Sequence, residues 1–299
     1  MSSIVSKIWE DLNEEIRQLA LRKLGPLAHF VGNWKGTGYA IISRPDAENG
    51  QLFKFQQNTT IEQMSFVPVI APVLNRSAFA DQKNIALKGL LYEQLVLDAT
   101  DLTNILHFEI GQWIWVPETT NPANKASVAR QANILHGTSF LATGEAPDQV
   151  PVQGRPEIEL LDTIPTGPPV DQDPGYLDQI TKASVPTGIP EKSNLNPSIF
   201  LTHQLDTQKV IDHVKFSVSA RIPVTGSTDP NHELINIPFL DKHAQARELK
   251  ANFYIEHIED STSATRSSMQ LQYGQRTILN FLNVNWPHVS VGSLKRHGL

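Results

Sequence analysis

The sequence predicts a mainly β protein, a closed antiparallel up-and-down β-barrel with an N-terminal amphipathic helix and a long Pro-rich insertion. Three observations carry this. The apolar period changes once, from helical to two, after Leu27. The period-two segments are long and follow one another with turn signals between them. No second helical pattern of similar strength interrupts them, and consecutive antiparallel strands with few crossovers close most simply on themselves.

The helix comes first. Ile4, Ile8, Leu12, Ile16, Leu19 and Leu24 recur three to five residues apart, with charged residues mostly between them. This is the stripe of an amphipathic helix over residues 1–26 that packs on the body of the domain, and Gly25-Pro26 stops it. The expected strands are Asn33–Ser43, Leu52–Met64, Ile85–Leu97, Ile105–Val116, Ser127–Ala142, Ile199–Leu205, Val210–Ile222, Ala246–Glu259 and Ser267–Leu282. Ten of the 20 prolines fall between Pro147 and Pro197, a stretch almost without aromatic residues. A loop this long inside a domain is usually functional. About five strands precede it and four follow, so neither flank is complete alone. Residues 145–197 are therefore expected as an insertion within one 299-residue barrel domain. Leu160, Leu161, Ile164, Tyr176, Leu177 and Ile180 would dock it on the barrel, where it would limit ligand access.

Composition narrows the function. With 40% apolar and 19% charged residues and a mean hydropathy of −0.25, the chain reads as globular. Its formal charge of −6, without a basic block, argues against nucleic acid or an anionic membrane as partner. The absence of cysteine excludes disulfides, thiolate metal sites and a cysteine nucleophile. Glu10 and Asp11 interrupt the N-terminus before an apolar signal region forms, and no 18-residue apolar run occurs, so no stable membrane insertion and a cytoplasmic location are expected.

Two motifs at the ends of the chain stand out. Gly32-Asn-Trp34-Lys-Gly36-Thr-Gly38 opens the first strand, and glycines at alternate positions let a strand bend or another group approach closely. Trp34 between them can plug a barrel end. Near the C-terminus, Trp286-Pro287-His288-Val289 is followed by Val291 and Leu294. A helix, G-x-W-x-G-x-G and an antiparallel meander resemble the nitrobindin-type haem-binding β-barrels, similar in fold to lipocalins and fatty-acid-binding proteins. The length and insertion look like a long bacterial subgroup of such barrels. The resemblance implies haem b as cofactor, His288 as ligand to the haem iron, and Trp34 and Trp286 against the porphyrin. Haem there would permit peroxidase- or isomerase-like chemistry.

The middle of the chain offers a second set. His107 and Glu109 share one face of their strand, opposite Leu106, Phe108 and Ile110, and Arg130 and His136 share a face if their strand is regular. Turned inward, these groups would line a pocket. Arg130, with His136 or Arg76, would hold the carboxylate of a fatty acid or similar lipid. His107 with Glu109 would instead move a proton on an apolar substrate. Two groups in H-x-E spacing are too few for a metal site. The remaining histidines, His29, His203, His213, His232, His243, His257 and His297, show no repeated spacing. The expected partner is a small hydrophobic ligand, with a homodimer as the assembly the chain could form.

Overall fold

A computed structural model describes residues 9–148, 150–168, 175–222, 233–260 and 263–298. Ile4, Ile8 and His232 lie outside the described residues. Ten long strands build the barrel: β1 (Gly32–Asp46), β2 (Gln51–Pro68), β3 (Ile85–Asp98), β4 (Ile105–Val116), β5 (Ser127–Ile134), β6 (Thr138–Glu145), β7 (Val210–Arg221), β8 (Gln245–Asp260), β9 (Ser263–Phe281) and β10 (Val284–Arg296). Each pairs antiparallel with its neighbour in the chain. β10 returns to β1, with His288 opposite Ile42 and Arg296 opposite Trp34. The ring is thinnest between β6 and β7, which share the single pair Thr143–Ser219. Short strands thicken this seam, Val152–Gln153 on β7 and Glu233–Asn236 on β6.

Two expectations are corrected. Ser127–Ala142 is not one strand, because Leu135, His136 and Gly137 form a turn with Gly137 at φ +107°. Six strands therefore precede the insertion. Ile199–Leu205 is not a strand but lies within helix α3 (Ser198–Asp206), following α1 (Glu14–Leu24) and α2 (Gly175–Lys182). A short apolar run has no period that separates strand from helix, and burial of Phe200, Leu201 and Leu205 on one side decides for helix.

The N-terminal segment plugs one end of the barrel. Asn13 caps α1 by accepting from the Ile16 amide at 2.9 Å. Ala20 and Leu24 are buried, whereas Ile16 and Leu19 of the same stripe are 40% and 45% exposed, so only part of the predicted face packs. The 3-10 turn Gly25–Phe30 then drives Phe30 into the interior. Its ring lies 4.6 to 5.8 Å from those of Phe66, Trp113, Phe216 and Phe253. Trp34 donates its indole N–H to the Phe30 carbonyl at 2.7 Å and carries the Arg296 guanidinium over its ring at 4.8 Å.

The described part of the insertion lies along the outer wall. Tyr176 and Ile180 of α2 pack with Phe53, Val284 and Trp286, while Phe200 and Leu201 of α3 pack with Tyr39, Ile41 and Val291. Leu161 fills the space over Gly274. Leu160, Ile164 and Leu177 stay exposed and do not dock. No helix among the described residues is long and apolar enough to cross a membrane.

Candidate functional site

Alternation along each strand decides what faces inward. On β10, Gly292 and Leu294 face inward beside Tyr273 and the aromatic core, so Ser290 and His288 follow on the same face. On β2 the inward set is Gln56, Asn58, Thr60, Glu62, Met64 and Phe66. The half near the plug is packed with apolar and aromatic side chains. Towards the other end, inward Ile42, Gln56, His107, Thr277 and His288 are half-exposed and His136 is exposed. The interior thus has an apolar base, a polar floor above it and, at the other end, polar inward residues that reach solvent; this end is called the cup and its rim the mouth.

The floor is a buried polar network. Arg130 donates from Nε to the Tyr92 hydroxyl oxygen at 2.9 Å, from Nη1 to Gln275 at 2.8 Å and from Nη2 to Glu109 Oε1 at 2.6 Å. Its guanidinium also lies 5.0 to 5.5 Å from the ring centroids of Phe253, Phe140 and Tyr92. Glu109 further accepts from Tyr92, and its Oε2 stands 3.1 Å from His107 Nε2. Beside this ion pair lies a second carboxyl. Glu62 accepts from Thr60 at 2.7 Å and from Tyr273 at 2.8 Å, and Tyr273 accepts from Gln94 at 3.2 Å. The glycines opposite make room for it. A methyl group built on Gly38 overlaps the Glu62 carboxyl, and one on Gly292 falls 2.8 Å from Glu62 Oε2.

The two carboxyls sit in opposite electrostatic states. Burial pushes Glu62 up to about 7, against smaller downward pulls from Thr60, Tyr273 and His107. Burial also acts on Glu109, but Arg130 beside it, together with His107 and Tyr92, outweighs this and holds it at about 2. Tyr92 and Tyr273 are both raised by burial well above the ordinary phenol value.

Three histidines reach the mouth from different walls. The His107 and His136 rings lie 5.9 Å apart. His288 is brought down to about 4 by burial, with His136 and Arg44 adding to the shift and the Ser43 backbone opposing it. Its Nε2 is buried without a hydrogen-bond partner among the described residues. The Asn58 amide nitrogen is in the same condition. An unpaired buried polar group costs on the order of 1–3 kcal/mol, so two on one wall are notable. No group of three or more His, Asp or Glu among the described residues is arranged to hold a metal ion by itself.

The structure therefore divides the sequence-predicted residues. His107, Glu109 and Arg130 meet in the floor, and His136 and His288 stand at the mouth. Trp34 does not share a ligand with His288, because eight residues along β1 separate their levels, about 26 Å, and Trp34 belongs to the plugged end. Trp286, two residues from His288 along β10, is buried in a cluster with Phe53, Tyr176, Ile180 and Val284. Arg76 is exposed on the connection between β2 and β3, at the plugged end, so it joins neither His136 nor Arg130. Arg130 already donates from each of its three nitrogens to a group inside the protein, Tyr92, Gln275 and Glu109. Nor do Arg130 and His136 share a regular strand face, because the turn intervenes. Asn58, Glu62, Tyr92, Tyr273 and Gln275 were not singled out in the sequence. Gly38 was the available signal, since a strand glycine marks a close approach.

No protein-family model and no curated protein matches the chain. Among solved structures it is similar to the crystal structure of Rv2717c from M. tuberculosis, at 13% sequence identity and a TM-score of 0.40, with 96% of this chain and 99% of that chain covered.

Proposed function

We propose that the protein is a binding barrel whose cup holds an apolar or amphipathic small ligand, with b-type haem on His288 as that ligand. The reading rests on one observation. His288 presents a buried nitrogen with no partner among the described residues, on an imidazole that burial keeps neutral. A haem-ligating imidazole needs that state, and histidine is a normal proximal ligand. Ile42 and Leu249 supply apolar wall nearby, and the satisfied Arg130–Glu109 pair forms a floor that needs nothing from the ligand. Haem, when bound, brings a Lewis-acidic and redox-active iron. Neither Trp34 nor Trp286 has a part in this reading. Expression with haem supply should give a Soret band that His288→Ala shifts or abolishes. A folded, reconstituted sample without that band would sink the haem assignment.

A second reading is favoured by the His107–Glu109 pair. Glu109 is an anion held by Arg130 and Tyr92, so it orients the His107 ring instead of taking a proton itself. His107, half-exposed at the mouth, is then the group that would accept a proton from an apolar substrate. Loss of proton exchange on a bound ketone in His107→Gln, with unchanged ligand affinity, is the expected outcome. Retained exchange removes His107 from that role.

A further inference from the structure

We propose that Asn58 is the second anchoring point of the cup, donating its side-chain amide hydrogens to an acceptor oxygen, best a carboxylate, of the bound ligand. This rests on the cup being a ligand site and extends that reading to the ligand's chemistry.

Asn58 is 7% exposed and faces inward from β2, next to Thr60 on the inner face and nearer the mouth. Its side-chain oxygen accepts from Gln56 Nε2 at 3.1 Å. The Nδ2 hydrogens are left without a partner among the described residues. The neighbouring strands explain why. On one side the cross-strand residue is Ala40, which offers only a methyl group. On the other side β3 has run out, because its last residue, Asp98, already pairs with Thr60.

The other unpartnered atom of the cup, His288 Nε2, stands on the far side of the same β1 strand. Ala40 pairs with both Asn58 and Ser290, and Ile42 with both Gln56 and His288. Asn58 and His288 therefore rise from strands two apart, about 10 Å across the wall, and alternation puts both on the inward face. Buried polar groups in folded proteins are normally paired, so an open donor and an open imidazole nitrogen on one inward face describe a two-point site. The matching molecule carries an electron-pair acceptor for His288 and an oxygen for Asn58. A haem propionate and a fatty-acid carboxylate both provide the oxygen.

Ligand-free wild type, Asn58→Leu and Asn58→Asp are compared by thermal unfolding. They are then titrated with ferric haem, followed at the Soret band, and with cis-parinaric acid, followed by fluorescence. Asn58→Leu should unfold at a higher temperature than wild type without ligand and bind the accepted probe at least about tenfold more weakly. Asn58→Asp, which sets a carboxylate against the ligand's own, should bind more weakly still. If Asn58→Leu is no more stable than wild type, the amide is already satisfied inside the protein and the proposal is overturned. Unchanged affinity for every probe that wild type binds overturns it as well. Wild type that binds cis-parinaric acid without a Soret band sinks the haem reading alone, and the fatty-acid titration then decides on Asn58. Wild type that binds neither probe overturns both.

Discussion

Replacing Glu62 by glutamine tests the electrostatics of the floor directly. Glu62 is 1% exposed, has two hydroxyl donors and no hydrogen-bonded cation, and is pushed by burial from 4.5 to about 7. The folded protein therefore holds this proton more tightly than the unfolded chain does. The stabilising contribution is fully present below pH 4.5 and is lost as the pH rises towards 7. The gap between 4.5 and about 7 corresponds to about 3 kcal/mol. Glutamine keeps the shape, cannot ionise, and can retain the Thr60 bond while its amide donates to Tyr273. The stability of Glu62→Gln relative to wild type should accordingly rise by about 3 kcal/mol between pH 4.5 and pH 8 and stay flat above that. Urea unfolding at a series of pH values, read by tryptophan fluorescence, measures the difference. A pH-independent difference would mean that Glu62 titrates like an exposed carboxylate. A difference that shrinks as the pH rises would mean that a cation holds it ionised. Either result refutes the description of the floor.

Two further substitutions probe the rest of the interior. Arg130→Met strands the Glu109 anion in the floor and should cost about 3–5 kcal/mol at pH 7. Adding Glu109→Gln should restore most of that loss in urea melts, whereas strictly additive losses would disprove the coupling. Phe30→Ala removes the ring packed among Phe66, Trp113, Phe216 and Phe253 and should cost about 3–5 kcal/mol in thermal or urea unfolding. A loss below 1 kcal/mol would show that the plug is not part of the core.

Much of the barrel was legible because the inward–outward period of a strand is a property of consecutive residues. That period placed His107 and Glu109 together and set them opposite Leu106, Phe108 and Ile110. It failed where a local device overrides it. Gly137 turns the chain back inside what reads as one strand, and the apolar run from Ile199 to Leu201 has the composition of either element. Docking of the insertion was half-legible for a related reason. Leu161 is buried while Leu160 and Ile164 beside it are not, and an irregular segment has no period to tell them apart; in α2 the i, i+4 spacing sets Tyr176 and Ile180 inward and leaves Leu177 exposed.

The site was less legible because its chemistry depends on level along the barrel axis, which no single segment contains. Trp34 and His288 look like partners at the two ends of the chain, yet the β10–β1 register sets them at opposite ends of the interior. Arg130 looks like a free cation until Tyr92, Gln275 and Glu109 are brought to it from three other strands. The same register gives the cup its depth. A ligand that pushed past Arg130 would have to break three hydrogen bonds and uncover a buried ion pair, at a cost larger than apolar contact with the rings below could return. The aromatic half is therefore closed to ligands by the polar floor as much as by packing. On the proposed reading, a ligand is recognised between Glu62 and the mouth, where Asn58 and His288 hold their open hydrogen-bonding groups.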